Sequence, residues 1–384
     1  MKNIINYGSH HISKDDILAV SKALRQNKIT QGKNVELFEK KLNSFFGSKY
    51  ALVVSSGTAA LHLAMLSLNL SSKDKVVTSP ISFLASANCV EYVGAKVDFC
   101  DIDKKTYTMD PNKLEEKLKK EKNIKAAIIV DYAGHPAAWK DFLYLKEKYK
   151  IVLVNDNCHA FGSKFNNNKN YAMKYADIVT QSFHPVKQIT TGEGGAILTN
   201  NHYIHSKAKL LRNHGMIKKN NSSTKPWLYS MNELGYNYRL ADINCALGIS
   251  QLLRIKSFIN KRREIASFYN KNLLIDGVRL PKEDKNVFHS YHLYPVLIDF
   301  KKLKITKKIF FEKMHKNNIN LQVHYIPIHL QNYYKKKYGF KKGDFKNAES
   351  FYSDEVSLPI YYNLQKKDQI RIINSIKKIC NTGN

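Results

Sequence analysis

Ser182-Phe183-His184-Pro185-Val186-Lys187-Gln188-Ile189-Thr190-Thr191-Gly192-Glu193-Gly194-Gly195 sets one lysine in a polar, glycine-rich loop. Two short apolar runs flank it, Ile178-Val179-Thr180 and Ala196-Ile197-Leu198. Short apolar runs bounded by polar residues are the pattern of strands buried on both faces. The same texture recurs upstream in Ala51-Leu52-Val53-Val54, Lys75-Val76-Val77, Val97-Asp98-Phe99, Ala126-Ala127-Ile128-Ile129-Val130 and Ile151-Val152-Leu153-Val154. These five runs predict parallel strands. Helix-length segments over residues 58–68, 82–93, 111–120 and 139–149 supply the crossovers that parallel pairing requires. The expected fold class is α/β, a three-layer αβα domain on a mostly parallel sheet.

Beyond the loop the texture changes. Residues 218–226 are polar, have no apolar periodicity and predict a mobile surface loop. A long helical pattern from Asp242 to about Leu274 leads into a second unit, with alternation over Tyr291-His292-Leu293-Tyr294-Pro295-Val296-Leu297 and helical stretches near 307–317 and 365–379. The expected division is a large domain over residues 1–250 and a smaller α+β domain over 251–384.

No stretch approaches the roughly 20 apolar residues of a membrane span, and the amino terminus has no continuous apolar segment, so a soluble, cytoplasmic protein is expected. Lys and Arg number 62 against 32 acidic residues, a formal charge of +30. The basic residues are scattered, and the densest run, Lys335-Lys336-Lys337 with Lys341-Lys342, matches no nucleic-acid motif. The charge is read as a solvated surface rather than a nucleic-acid footprint, one that modestly favours anionic small molecules. Five cysteines without C-x-x-C spacing indicate neither a disulfide framework nor a metal site.

Ligands of open parallel sheets bind outside the carboxyl ends of the strands. Ser55-Ser56-Gly57-Thr58-Ala59-Ala60-Leu61, after the first strand, opens a helix whose free N–H groups suit a phosphate, although an ordinary helix cap reads the same way. Asp156, at the end of another strand, is placed to pair with the protonated nitrogen of a pyridine ring, to cap a helix or to bind a metal. Phe83 suits stacking on an aromatic cofactor or a core position. An amine such as that of Lys187 becomes a nucleophile when desolvation or a nearby cation lowers its pKa.

Together these segments resemble the sugar aminotransferase family named for DegT, DnrJ, EryC and StrS, whose members are fold-type I enzymes dependent on pyridoxal 5′-phosphate (PLP). The likeness runs from Ile29-Thr30-Gln31-Gly32-Lys33 through the Ser56–Leu61, Asp156–His159 and Ser182–Gly195 segments to Gly235-Tyr236-Asn237-Tyr238-Arg239-Leu240. It implies that Lys187 carries PLP as a Schiff base, Asp156 partners the pyridine nitrogen, Phe83 stacks on the ring and His159 neighbours it. Gly57, Thr58 and Ser182 would hold the phosphate. Asn237 would reach the phosphate in a neighbouring subunit, implying a homodimer with shared active sites. The related dehydratases carry His at the place of Lys187, so the lysine points to an aminotransferase.

Asp131-Tyr132-Ala133-Gly134-His135-Pro136, Ser182–Lys187 and Gln322-Val323-His324-Tyr325-Ile326-Pro327 are similar to segments of the subgroup that makes UDP-4-amino-4,6-dideoxy-N-acetyl-β-L-altrosamine for pseudaminic acid. That likeness implies a UDP-sugar acceptor, with L-glutamate as amino donor. It puts Tyr7, Lys28, Ile29, Thr30, Gln322, Val323, His324 and Tyr325 at the sugar nucleotide. Gln188 stands where the subgroup often has proline. The alternatives are another nucleotide-sugar 4-aminotransferase, of the UDP-bacillosamine or GDP-perosamine type, and a non-catalytic regulatory or nucleic-acid-binding member of the fold.

Overall fold

The computed structural model describes residues 3–218, 225 and 227–381. Seven strands form its central sheet: β1 (Tyr50–Val54), β2 (Lys75–Thr78), β3 (Lys96–Phe99), β4 (Ile124–Val130), β5 (Val152–Asp156), β6 (Ile178–Ser182) and β7 (Gly195–Thr199). Their order is β1-β7-β6-β5-β4-β2-β3. β2 through β6 pair in parallel, whereas β7 runs antiparallel to both of its neighbours. The reason lies in the connection: the Lys187 loop between β6 and β7 contains no crossover helix, so the chain returns beside the strand it left. β1, antiparallel to β7, therefore points the same way as the parallel set.

The apolar runs are buried on both faces by alternation. Val53, Ala127, Ile129, Leu153 and Leu198 enter one core with Phe38, Phe142 and Phe258. Leu52, Val54, Ala126, Ile128 and Ile197 enter the other with Leu63, Val90 and Leu211. Helices thus cover both faces, and the architecture is the three-layer α/β sheet expected.

A third core surrounds an antiparallel sheet of order β8-β9-β10, with β8 at Val278–Arg279, β9 at Tyr294–Ile298 and β10 at Glu355–Leu358. Helices Ile255–Asn272, Lys307–Lys316 and Lys366–Asn381 accompany it, contributing Tyr269, Phe310 and Ile372 to this core. Ile5 also joins this core and bridges to Ile319, so the chain's beginning packs with its last third. The long helical pattern from Asp242 is two helices, Asp242–Leu253 and Ile255–Asn272. Arg254 separates them at φ −106°, ψ 6° and pairs with the buried Asp16. The surface loop expected over 218–226 falls largely outside the described residues.

Candidate active site

The carboxyl ends of β1, β2, β4, β5 and β6 face a cavity of about 720 Å³. Gly57, Thr58, Asp156, Ser182, Lys187 and Tyr325 line it. Helix Gly57–Leu66 starts directly after β1, and the Ser56 hydroxyl accepts the Ala59 N–H at 3.0 Å. The first-turn N–H groups of Gly57 and Thr58 have no acceptor within the helix and form an anion-binding end. Ser182, at the end of β6, closes the other side. A Cβ on Gly57 would lie 2.8 Å from Ser182 Cβ, so only glycine lets the helix start and the strand end approach this closely.

Asp156 ends β5 and is buried. Its Oδ2 accepts from Ser86 Oγ at 2.7 Å and its Oδ1 from the Cys158 N–H at 3.3 Å. A carboxylate has about four lone-pair positions, so acceptor capacity remains. Among the described residues it belongs to no cluster arranged to hold a metal ion. The backbone N–H of Lys187 donates to the His184 carbonyl, but its side-chain amine has no hydrogen-bond or ion-pair partner among the described residues. Desolvation holds its amine below the usual lysine value; Cys158 and Asp156 oppose this, and the buried Arg262 guanidinium adds to it. Arg262 itself donates to the carbonyls of Tyr291, His292 and Ile360 and has no carboxylate partner among the described residues. An amine whose charged form burial disfavours, beside a buried carboxylate, is the environment a nucleophilic, proton-moving lysine needs.

His159 is buried beside them, and its Nδ1 accepts the Ala133 N–H at 3.3 Å. That bond fixes Nδ1 as the bare nitrogen, so Nε2 carries the proton and faces Tyr325 Oη at 3.2 Å. Burial first, and then the nearby Lys187 and His324, keep this imidazole well below its ordinary pKa. Gln188 explains the departure from proline, since its side-chain amide donates to the His159 carbonyl and to Ser290 Oγ.

Tyr7, Gln322, Val323 and His324 also line the cavity, as does Phe83, which is 58% exposed with its ring 6.2 Å from that of Tyr325. Lys28, Ile29, Thr30 and Asn237 do not. They are exposed on the chain near Asp242: the Asp242 N–H donates to the Ile29 carbonyl, Thr30 bridges Ala241 and Asn237 bridges Asn213. Sequence reasoning missed Ser86, Arg262, Ser357 and Glu355. Ser86 carried one faint signal, its spacing of one turn after Ser82, to which it is hydrogen-bonded at 2.7 Å.

Residues 10–377 match the profile of the DegT/DnrJ/EryC1/StrS aminotransferase family. The UDP-4-amino-4,6-dideoxy-N-acetyl-beta-L-altrosamine transaminase of Campylobacter jejuni is 41% identical over 95% of this chain and 94% of its own length. The solved structure of Helicobacter pylori PseC, an aminotransferase involved in the biosynthesis of pseudoaminic acid, superposes with a TM-score of 0.92 at 34% identity, covering 99% of this chain and all of that one. A PLP-form structure of Streptococcus pneumoniae Spr1654 gives 0.91 at 25% identity, covering 99% of this chain and all of that one. The chain belongs to the DegT/DnrJ/EryC1/StrS aminotransferase family of PLP-dependent sugar aminotransferases.

Proposed function

We propose that this enzyme moves the amino group of L-glutamate to C4 of UDP-2-acetamido-2,6-dideoxy-β-L-arabino-hex-4-ulose, giving UDP-4-amino-4,6-dideoxy-N-acetyl-β-L-altrosamine. The observation that carries the chemistry is the convergence of Lys187, Asp156 and the Gly57–Ser182 cradle on one cavity. The likeness to the C. jejuni transaminase supports the substrate.

The residues fit PLP. The Gly57 and Thr58 N–H groups and the Ser182 hydroxyl would hold its phosphate, Asp156 its ring N–H, Phe83 and His159 its ring, and Lys187 its aldehyde carbon. When bound, PLP supplies an electron-withdrawing ring that accepts an amino group from one partner and gives it to the next. Lys187 Nζ takes the proton from the carbon that bears the amino group of the donor and returns a proton to C4 of the acceptor sugar. Burial disfavours its charged form, which helps the amine to act as a base. Tyr7 and the Gln322–Tyr325 segment wall the cavity where the sugar would lie.

The exposed positions of Ile29 and Asn237, with Tyr229, Met231 and Leu234 exposed nearby in sequence, support a homodimer in which residues 28–30 and Asn237 complete the partner's site. Five unpaired cysteines are in keeping with action in the cytoplasm.

Two results are expected. With glutamate and the UDP-keto sugar varied together, double-reciprocal plots should be parallel, because one product leaves before the second substrate enters. Mass spectrometry should show the aminated UDP-sugar and 2-oxoglutarate, and GDP-4-keto-6-deoxymannose should turn over far more slowly. Intersecting lines, or preference for the GDP-sugar, would overturn the assignment. Separately, Gly57→Ala should weaken PLP binding roughly 5- to 150-fold, since forcing a methyl group into a packed contact costs about 1–3 kcal/mol. Fluorescence titration of the apoenzyme checks this, and unchanged affinity would remove the cradle from the phosphate site.

A further inference from the structure

Behind the sugar-facing wall of the cavity lies a polar relay that transamination does not require. His324 lines the cavity and is 6% exposed. Its Nδ1 is 2.8 Å from Ser357 Oγ. Ser357 Oγ in turn donates to Glu355 Oε1 at 2.5 Å. The other carboxylate oxygen, Oε2, accepts the His324 backbone N–H at 2.9 Å. The Tyr132 hydroxyl donates to the His324 carbonyl at 2.6 Å. Ser357 and Gln322 also bridge through their backbones, so β10 braces the segment that bears the histidine. Glu355 and Ser357 are fully buried.

Hydrogen counting fixes the direction of the chain. Above the value of about 7 to which burial raises it, the Glu355 carboxyl is ionised and only accepts, so the single Ser357 proton then points to Glu355 and Ser357 Oγ must accept from His324. The proton of the neutral imidazole therefore sits on Nδ1. Burial, reinforced by Lys187, pushes the His324 pKa down to about 3, which keeps the ring neutral. Nε2 is left with a lone pair and no partner among the described residues. It is also absent from the nitrogens sealed within the protein without a partner, unlike His292 Nδ1. A neutral imidazole of fixed tautomer is an acceptor that cannot turn into a donor without breaking the relay behind it.

We propose that Glu355 and Ser357 lock His324 as a hydrogen-bond acceptor facing the cavity, so that the enzyme selects acceptor sugars presenting a hydroxyl or amide N–H at that point. Glu355 and Ser357 are positioning residues, and His324 Nε2 is the specificity contact. The substrate part rests on the function proposed above; the tautomer does not.

Glu355→Gln supplies a polarity test. To keep the His324 N–H satisfied, the glutamine oxygen must take the Oε2 place, which turns its NH₂ toward Ser357. The serine then accepts from the glutamine and donates to His324 Nδ1, and the imidazole proton moves to Nε2. Nitrogen-15 NMR of the histidine-labelled enzyme, in buffer well above the value of about 7 to which burial raises the Glu355 carboxyl, should find the Nδ1–H tautomer of His324 in the parent and Nε2–H in Glu355→Gln. Stopped-flow absorbance of the holoenzyme should show the sugar half-reaction slowed about 10- to 100-fold in Glu355→Gln and Ser357→Ala, the scale for a buried acceptor lost or inverted. The glutamate half-reaction should be unchanged in both, and Ser357→Thr, which keeps the hydroxyl, should behave as the parent does. An Nε2–H tautomer in the parent, or equal slowing of both half-reactions, would overturn the proposal. If the parent fails to aminate the UDP-sugar, the substrate assignment falls while the NMR result still decides the relay.

Discussion

Lys187→Ala should lower turnover by about 10³-fold or more, the range for removing a positioned acid–base group, and leave folding stability within about 1 kcal/mol of the parent. The two halves of this expectation have the same cause. The Lys187 amine has no protein hydrogen-bond partner among the described residues, and its burial disfavours the charged form. Deleting it orphans no acceptor, because Asp156 keeps its bonds from Ser86 and the Cys158 N–H. A structural lysine would behave in the opposite way, with activity falling only as far as stability did. Borohydride treatment of the PLP-loaded parent, followed by peptide mass spectrometry, should find the pyridoxyl group on Lys187, and Lys187→Ala should carry none. Lys187→Arg should be equally inactive, since it restores the charge but not an amine that can lose its proton at neutral pH. Residual activity in either variant above about one part in a hundred would remove Lys187 from the chemistry.

The sheet and the site's chemistry were legible because both are written locally. Alternation in Ala126-Ala127-Ile128-Ile129-Val130 fixes which side chains enter which core, and period-2 geometry gives it no other outcome. Glycine at 57 and the lysine in its loop mark places where backbone approach or an amine is needed, and each lies next to a strand end. The reversal of β7 was implicit in the absence of a helix between 183 and 194. What stayed hidden depends on pairing between distant segments. Ser86 is 70 residues from Asp156, and Glu355 reaches a histidine 31 residues away; a serine or glutamate carries no mark of such a partner. The break at Arg254 was hidden for a related reason. Arginine is a good helix former, and its partner at the break, Asp16, lies 238 residues earlier in the chain.

Asp131 was read as part of a likeness, and the structure gives it a physical task that predicts a large loss of stability on its removal. Its fully buried carboxylate accepts five hydrogen bonds: from the Ala137 N–H and Trp139 Nε1 at Oδ1, and from Asn155 Nδ2, Asn157 Nδ2 and Tyr171 Oη at Oδ2, all between 2.8 and 3.0 Å. Asp131→Ala strands five donors in a site with little access to water, and a cost of about 3–5 kcal/mol is expected, as for other buried charges stripped of their partners. Asp131→Asn should fall between. Its one oxygen can serve the three donors at Oδ2 while its NH₂ confronts the two at Oδ1. Urea denaturation of the three proteins checks the order. pH separates the carboxylate's charge from its hydrogen bonds. Burial raises the Asp131 carboxyl to about 6, above its unfolded value, so the folded state holds the proton more tightly. The stability this group contributes is therefore fully present below the unfolded pKa and declines as pH rises through about 6. Asp131→Asn cannot lose a proton, so its deficit relative to the parent should shrink as pH rises over that window. A deficit that grows instead would mean that the five donors outweigh desolvation and hold the carboxylate ionised. In either case the damage should extend to catalysis, because the turn that Asp131 anchors carries the Ala133 N–H that sets the His159 tautomer beside Lys187.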